Sequence, residues 1–114
     1  MDPLQATVRI KVHEGTLADF EDLAREMVRI VREIDTGTLQ FDWFSSADET
    51  EYVVRATYRD SDAAIQHIAN LKSTLKSFQA MCSVDMHLFG NPSDQLREAG
   101  ARLGVKVYAP FLSL

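Results

Sequence analysis

The sequence predicts an α+β fold of the ferredoxin-like class, with a four-stranded antiparallel sheet and two helices on one face of it. Four segments alternate apolar and polar residues with the period of a β-strand, and two longer segments repeat apolar residues every three or four positions, as amphipathic helices do. Their order along the chain is β-α-β-β-α-β, which is the split βαβ arrangement. A short helix and a short strand follow this unit.

The first strand and the first helix are predicted over residues 6–35. Residues 6–13 (ATVRIKVH) place four apolar side chains on one face: Ala6, Val8, Ile10 and Val12. Gly15 turns the chain, and Thr16 with Asp19 has the spacing of a capping box at a helix N-terminus. The apolar side chains that follow recur at helical spacing, at Phe20, Leu23, Ala24, Met27, Val31 and Ile34.

The second and third strands are predicted to form a hairpin. Gly37 ends the first helix, and residues 38–46 (TLQFDWFSS) alternate Leu39, Phe41 and Trp43 against Gln40, Asp42 and Phe44. The polar stretch SADE then turns the chain into residues 50–59, whose apolar face carries Tyr52, Val54, Ala56 and Tyr58. Two strands joined by a short polar loop are typical of a β-hairpin.

The second helix begins at Asp60 or Ser61. Its apolar face is centred on Ile65 and Ile68, which leaves His67 at the margin of that face. The pattern shifts at NLKST, so we expect the helix to break there and a second short helical piece to surround Leu75 and Phe78.

Residues 81–90 predict the fourth strand, in which Cys82 is an inert core thiol. Ser93 caps a short helix over residues 94–103, and the final strand, VKVYAPFL, breaks at Pro110. The prediction is therefore one domain, 1–114, with a ferredoxin-like core over 5–90 and a C-terminal extension over 91–114.

Composition and charge narrow the class of function. The chain is 46% hydrophobic and 25% charged with a net charge of -5, as in ordinary globular domains. Its Lys and Arg residues are scattered, so no nucleic-acid surface is expected. No apolar run approaches the ~20 residues that span a bilayer, and MDPLQATVRI lacks the features of a signal peptide. With a single cysteine, these features predict a cytoplasmic protein that binds neither nucleic acid nor membrane.

The two faces of the predicted sheet differ in character. The helices cover a face made by Val8, Ile10, Val12, Phe41, Val54, Val84 and Met86. The other face, called here the second face, mixes charged and aromatic residues: Arg9, Lys11, Asp42, Phe44, Arg55, Thr57, Asp85 and His87. This face is either exposed or packs against a second copy. Because open sheet edges favour association, we expect a homodimer in which the apolar extension VKVYAPFLSL crosses to the partner.

Three segments resemble the antibiotic biosynthesis monooxygenase (quinol monooxygenase-like) family: TVRIKVHEG, GTLQFDWF and EYVVRATYRDSDAAIQHIANL. The third segment is the most specific, since Tyr58, Asp60, Ala64 and His67 match the Y-x-D/S…A…H pattern of that family. The resemblance covers about residues 5–90, and the chain from Asn91 onward lies outside the shared pattern. It implies a dimeric α+β barrel, in which two ferredoxin-like sheets face one another.

The resemblance further implies oxygenation of a quinol or polyphenolic substrate without metal, flavin or haem. In such chemistry the deprotonated substrate itself activates dioxygen, so the protein supplies a base, donors for an oxyanion and an apolar pocket. His67 is the candidate catalytic residue, as a general base or an oxyanion partner, because a histidine accepts a proton near neutral pH. The alternative is a boundary histidine that bonds to a carbonyl or a carboxylate.

Candidate substrate-binding residues lie on the strands. Trp43, Phe44 and Tyr58 either line a cleft for a flat aromatic ligand or belong to the core or to an interface. Arg9 and Arg55 either hold a phenolate or carboxylate through their fixed fork of donors, or form ion pairs across the dimer.

His87 shares the second face with Asp85, and either contacts substrate or bridges the dimer. No metal site is predicted, because His13, His67 and His87 lack the spacing of a zinc pair. A haem-degrading activity is disfavoured by the lack of an asparagine on the first strand and of a tryptophan in the second helix.

A second class of function stays open at this point, namely a non-catalytic dimeric barrel that binds a small apolar ligand or acts as an interaction module. The enzyme hypothesis predicts a closed, apolar cavity beside His67 that is large enough for an aromatic ring.

Overall fold

The computed structural model of the chain describes residues 3–114, which form five strands and three helices. The strands are β1 (Leu4–Val12), β2 (Thr38–Ser45), β3 (Glu51–Tyr58), β4 (Cys82–Phe89) and β5 (Lys106–Tyr108). The helices are α1 (Leu17–Ile34), α2 (Ser61–Met81) and α3 (Asp94–Arg102). The ferredoxin-like α+β prediction is confirmed.

The sheet has the strand order β2-β3-β1-β4-β5. The first four strands pair antiparallel, and β5 joins the edge of β4 in parallel, so the sheet is mixed. The two long helices pack on the face that carries Ile10, Val54 and Phe41. Phe20 of α1 and Ile10 of β1 are the most deeply buried large side chains of the core.

Helix α2 differs from its prediction in two ways. It runs without a break from Ser61 to Met81, because its buried stripe continues through NLKST at helical spacing: Ala64, His67, Leu71, Thr74 and Phe78. The Thr74 hydroxyl donates a hydrogen bond of 2.7 Å to the Leu71 carbonyl, which satisfies this polar group inside the core. The predicted margin position of His67 is also wrong, since His67 lies within the buried stripe while Ile65 and Ile68 are only half-buried.

Two local predictions on the first half of the chain are wrong as well. Thr16 makes no capping hydrogen bond to α1, because its hydroxyl donates to the carbonyls of His13 and Met81 instead. Leu39 does not join Phe41 and Trp43 on the covered face. The pairing of β2 with β3 shifts register between Thr38 and Gln40, which leaves Leu39 61% exposed.

The C-terminal extension packs largely on its own chain. Helix α3 contacts α2, its N-cap Ser93 accepts a hydrogen bond from the backbone N–H of Leu96, and β5 extends the sheet. Only the segment after Tyr108 projects outward, with Phe111 and Leu112 highly exposed. The predicted arm therefore narrows to residues 109–114, and its contact with a partner stays a prediction.

No helix within residues 3–114 is both long enough and apolar enough to cross a membrane. The cytoplasmic location stays a prediction.

Gly37 sets how closely the start of β2 approaches α2. A Cβ atom added at Gly37 would collide with the Cβ of Ala63. We expect Gly37→Ala to lower the free energy of unfolding by about 1–3 kcal/mol, because overpacking forces the backbone apart. Urea unfolding measures this loss.

Gly100→Ala is the matched control. Gly100 lies inside α3, and a Cβ there would meet Val105 at an ordinary contact distance of 3.4 Å. Alanine favours a helix over glycine by up to about 1 kcal/mol, so this variant should be neutral or more stable. A Gly37→Ala variant as stable as wild type contradicts the close-packing argument.

Candidate active site

A cavity lies between the helix-covered face of the sheet and helices α2 and α3. Its volume is about 140 Å³, and it is partly enclosed. The walls are mostly apolar side chains from α2, α3 and the strands, and the lining also includes Thr7, Trp43, Tyr58, His67 and His87. An apolar cavity of roughly 150 Å³ in another protein takes up benzene, so this one has the size of a single aromatic ring. The predicted cavity is therefore present beside His67, but it is not fully closed.

His67 is held by a buried carboxylate. The Asp35 side chain is only 1% exposed, and its Oδ2 lies 2.8 Å from Nδ1 of His67. The amide of Asn70 donates to Oδ1 of Asp35 at 2.7 Å, and the hydroxyl of Thr38 donates to Oδ2 at 2.7 Å. Both carboxylate oxygens are thus occupied, and the Nδ1–H tautomer of His67 fits the contact.

Three elements meet at this carboxylate. Asp35 is the C-cap of α1, Thr38 opens β2, and His67 and Asn70 lie one helical turn apart on α2. A negative charge at a helix C-terminus opposes the helix dipole, so Asp35 needs specific partners there. The three donated hydrogen bonds supply them.

The electrostatic balance at Asp35 favours the charged form. Burial on its own would raise the pKa of Asp35, but the hydrogen bonds from His67, Asn70 and Thr38 outweigh burial and hold the pKa below its ordinary value. Burial also raises the pKa of Tyr58, and the charge of Asp35 raises it further. The Tyr58 hydroxyl therefore stays protonated at neutral pH and is a hydrogen-bond donor.

Two aromatic rings flank the imidazole. The ring centres of Phe41 and Tyr58 lie 5.1 and 5.0 Å from that of His67. Because Nδ1 faces Asp35, the second nitrogen, Nε2, is the one available to a ligand. The arrangement is an imidazole with fixed orientation beside an apolar cavity, which is suited to removing a proton from a bound ligand.

Trp43 also lines the cavity. Its indole packs at 5.8 Å edge-on to Phe41 and at 6.4 Å edge-on to Phe78, measured between ring centres. The indole N–H is buried and has no hydrogen-bond partner among residues 3–114. A buried donor without a partner is uncommon in folded proteins.

The structure separates the predicted site residues into two groups. Trp43, Tyr58 and His67 line the cavity. The side chains of Arg9, Phe44, Arg55 and His87 belong to the second face, because Arg55 and His87 both lie opposite Thr7 and Arg9 lies opposite Asp85 in the strand register. His87 also belongs to the lining of the cavity, whereas the sheet stands between the cavity and the side chains of Arg9, Phe44 and Arg55 within one chain.

His87 lies in a different environment from His67. Its Nε2 is 3.3 Å from Asp85, and its ring packs against Phe89 and Tyr108, which stack on each other at 5.6 Å. The roles of His87, Phe44, Arg9 and Arg55 in substrate binding stay predictions, now attached to the second face.

Sequence reasoning did not find Asp35, Thr38 or Asn70 as partners of His67. Asp35 and His67 are 32 positions apart, and no local pattern joins them. One signal was available, since an acidic residue directly after a helix is electrostatically disfavoured unless it has a partner.

The fold and the cavity together define a small ferredoxin-like α+β protein with one histidine–carboxylate pair at an apolar, ring-sized site. The sequence profile described as antibiotic biosynthesis monooxygenase matches residues 3–80. That match covers more than half of the chain, and the protein belongs to this family. A search of curated proteins finds no significant match.

Solved structures show the same fold at low sequence identity. MupZ from Pseudomonas fluorescens superposes with a TM-score of 0.86 at 15% identity, covering 100% of this chain and 94% of MupZ. SnoaB from Streptomyces nogalater, described as a cofactor-independent oxygenase, superposes with a TM-score of 0.70 at 21% identity, covering 82% of this chain and 96% of SnoaB.

Asp35→Asn tests the carboxylate. In the wild-type protein three donors share the two carboxylate oxygens of Asp35, whereas the amide of asparagine has a single acceptor oxygen. We therefore expect a loss of about 2 kcal/mol in the free energy of unfolding at neutral pH. The folded pKa of Asp35 lies below the ordinary value of about 3.9. Its contribution is therefore fully present above that value and is lost as the pH falls through the folded pKa.

Chemical denaturation as a function of pH measures this effect. The difference between wild type and Asp35→Asn should narrow as the pH falls below the ordinary pKa of an aspartate, about 3.9. Glu14→Gln, at an exposed carboxylate outside both the cavity and the second face, should unfold like wild type at neutral pH. A difference that stays constant with pH contradicts the ionised, hydrogen-bonded Asp35.

Proposed function

We propose that this protein is a monooxygenase that oxidises a small phenolic or enolic ring with dioxygen, and that His67 is its base. The observation that carries the proposal is the orientation of His67 by Asp35 beside an apolar cavity of ring size. Membership of the antibiotic biosynthesis monooxygenase family and the fold shared with SnoaB, a cofactor-independent oxygenase, support it.

The first step is removal of a proton from the ligand. Nε2 of His67 accepts the proton of a ring hydroxyl, while Nδ1–H donates to Oδ2 of Asp35. Asp35 stabilises the imidazolium that forms, as the carboxylate of a histidine–carboxylate pair does in other enzymes. The apolar walls exclude water, which strengthens these electrostatic effects.

The second step is addition of dioxygen to the carbanion form of the ligand. The substrate anion passes an electron to dioxygen, and the two radicals combine into a peroxide that the His67 imidazolium protonates. Loss of water from this hydroperoxide breaks the O–O bond and forms a carbonyl. A ring methylene and dioxygen thus become a carbonyl and water, and dioxygen is the only co-reactant that the balance requires.

His67→Gln tests the base. Glutamine retains an N–H donor toward Asp35 but cannot accept the substrate proton, so we expect oxygen uptake to fall at least about 100-fold. The assay follows oxygen consumption with a panel of hydroquinones and anthrone-like compounds, after subtraction of the rate without protein. His13→Gln, at an exposed histidine outside the cavity, should retain the wild-type rate.

Two outcomes contradict the proposal. Equal uptake by wild type and His67→Gln removes the proposed role of His67. Uptake by wild type no faster than the rate without protein, with ligands still bound, supports the non-catalytic binding protein instead.

We further propose that the protein works as a homodimer through the second face. Phe44, Phe89 and Tyr108 expose apolar surface there. Arg9 and Arg55 lie opposite Asp85 and Asp42 in the strand register but form no ion pair within residues 3–114. Their charges therefore remain available to the carboxylates of a second copy.

Phe44→Arg tests this dimer. Phe44 is 52% exposed on the second face, and Ile34 is 50% exposed on α1, so Ile34→Arg makes the same type of change outside the face. Light scattering should report a monomer for Phe44→Arg and a dimer for both wild type and Ile34→Arg. A monomeric wild type, or a dimer that Phe44→Arg leaves intact, contradicts the proposal.

A further inference from the structure

One wall of the cavity, called here the end wall, comes from the C-terminal extension. It is formed by Leu96, Leu103 and Val105, together with Gly100 of α3. All four lie beyond residues 3–80, which the family profile matches. The size of the cavity in this chain therefore depends on a segment outside the matched part of the sequence.

The turn at the end of α3 explains why both Leu103 and Val105 line the cavity. Gly104 has a φ of +77°, in the left-handed region that favours glycine. Its N–H donates to the carbonyl of Ala101 at 3.1 Å, and the N–H of Val105 donates to the carbonyl of Gly100 at 2.9 Å. These two bonds form a Schellman motif, which turns the chain directly after the helix. The residues on either side of Gly104 are thereby brought against the same cavity.

Helix α3 is held at both ends, so the end wall has a fixed position. At its start, the backbone N–H of Ser93 donates to the hydroxyl of Ser61 on α2 at 2.9 Å. After its end, β5 pairs with β4, where Val107 lies opposite Leu88. A site built on a helix and a strand is held more precisely than one built on a loop.

We propose that the end wall determines the size of ligand that the cavity accepts, and that Leu103 is the specificity-determining residue within it. Leu103 restricts the cavity to ligands with one ring and excludes those with two fused rings. This inference rests on the proposed function for the use of the cavity, and adds the size class of the ligand. It does not depend on which oxygen atoms the ligand carries.

The volume of the cavity supports a size limit. It is about 140 Å³, close to that of an apolar cavity of roughly 150 Å³ that takes up benzene in another protein. A second fused ring would have to displace side chains of the wall, and overpacking of this kind is unfavourable.

Leu103 is the member of the end wall that can change with least effect on the fold. Leu96 is only 2% exposed and belongs to the core, and Val105 packs against that core. Leu103 is half-buried at the C-cap of α3. Truncation of Leu103 therefore enlarges the cavity without removing a buried core residue.

Calorimetric titration with phenol and 1-naphthol, in the absence of oxygen, tests the size limit. Each probe carries one hydroxyl, so the two differ only in the second ring. We expect wild type to bind phenol more tightly, although 1-naphthol has more apolar surface to bury. Leu103→Ala should shift the ratio of the two affinities toward 1-naphthol by at least about tenfold, since a hydrophobic pocket discriminates one methylene by about 10–200-fold.

Two further variants separate the size of the wall from a general loss of structure. Leu103→Phe enlarges the same side chain and should weaken the binding of phenol. Leu39→Ala truncates a leucine that is 61% exposed on β2, outside the cavity, and should keep the wild-type ratio. Urea unfolding checks that each variant is folded.

The outcomes distinguish this inference from the proposed function. An unchanged ratio in Leu103→Ala, an unchanged phenol affinity in Leu103→Phe, or a wild type that binds 1-naphthol at least as tightly as phenol overturns the role of Leu103 and leaves the oxygenase proposal standing. The expected shift, in a protein that consumes no oxygen, upholds the role of Leu103 and removes the oxygenase. Failure of both probes to bind wild type overturns the cavity as a ligand site and both proposals with it.

Discussion

The buried carboxylate of Asp35 is the constraint on which the candidate site depends. Burying this charge destabilises the fold unless both carboxylate oxygens accept hydrogen bonds. Removing one of the donors therefore lowers the free energy of unfolding. Its donors come from the start of β2 and from two positions on α2, so the end of α1 is tied to both elements at one point. The orientation of the imidazole follows from this requirement of stability, and Nε2 is left free for chemistry.

The cavity has a stability cost of its own. At roughly 24 cal/mol per Å³, a void of about 140 Å³ forgoes at most about 3 kcal/mol of packing free energy. That is a large share of the 5–15 kcal/mol that stabilises a typical domain. A chain of 114 residues could have closed this space with larger side chains at the small positions along it, such as Ala6 and Ala64. A ligand that fills the void recovers part of the lost contact, which favours a binding site over a packing defect.

Local periodicity was sufficient to predict most of the fold, since β3 buries the residues that its pattern indicates, and α1 buries Phe20, Met27 and Val31. The prediction is wrong for Ile34, which ends α1 and is 50% exposed. Periodicity was insufficient where a polar residue lies in the core with its hydrogen bond made locally. Thr74 reads as a break in an apolar stripe, yet its hydroxyl bonds to the preceding turn of its own helix. The sequence pattern places His67 at the margin for a different reason, because the carboxylate that permits its burial comes from a residue 32 positions away.

Because side chains alternate along each strand, the sheet places the cavity on one face and the proposed dimer surface on the other. On β3, Val54 and Tyr58 line the cavity, whereas Arg55 between them points to the second face. A second copy docked on that face would leave the Asp35–His67 pair of each chain intact, because this pair and most residues that line the cavity lie on the helix side. The site is therefore complete within one protomer. Association through the second face would influence it only through the position of the strands, and not by adding a residue to it.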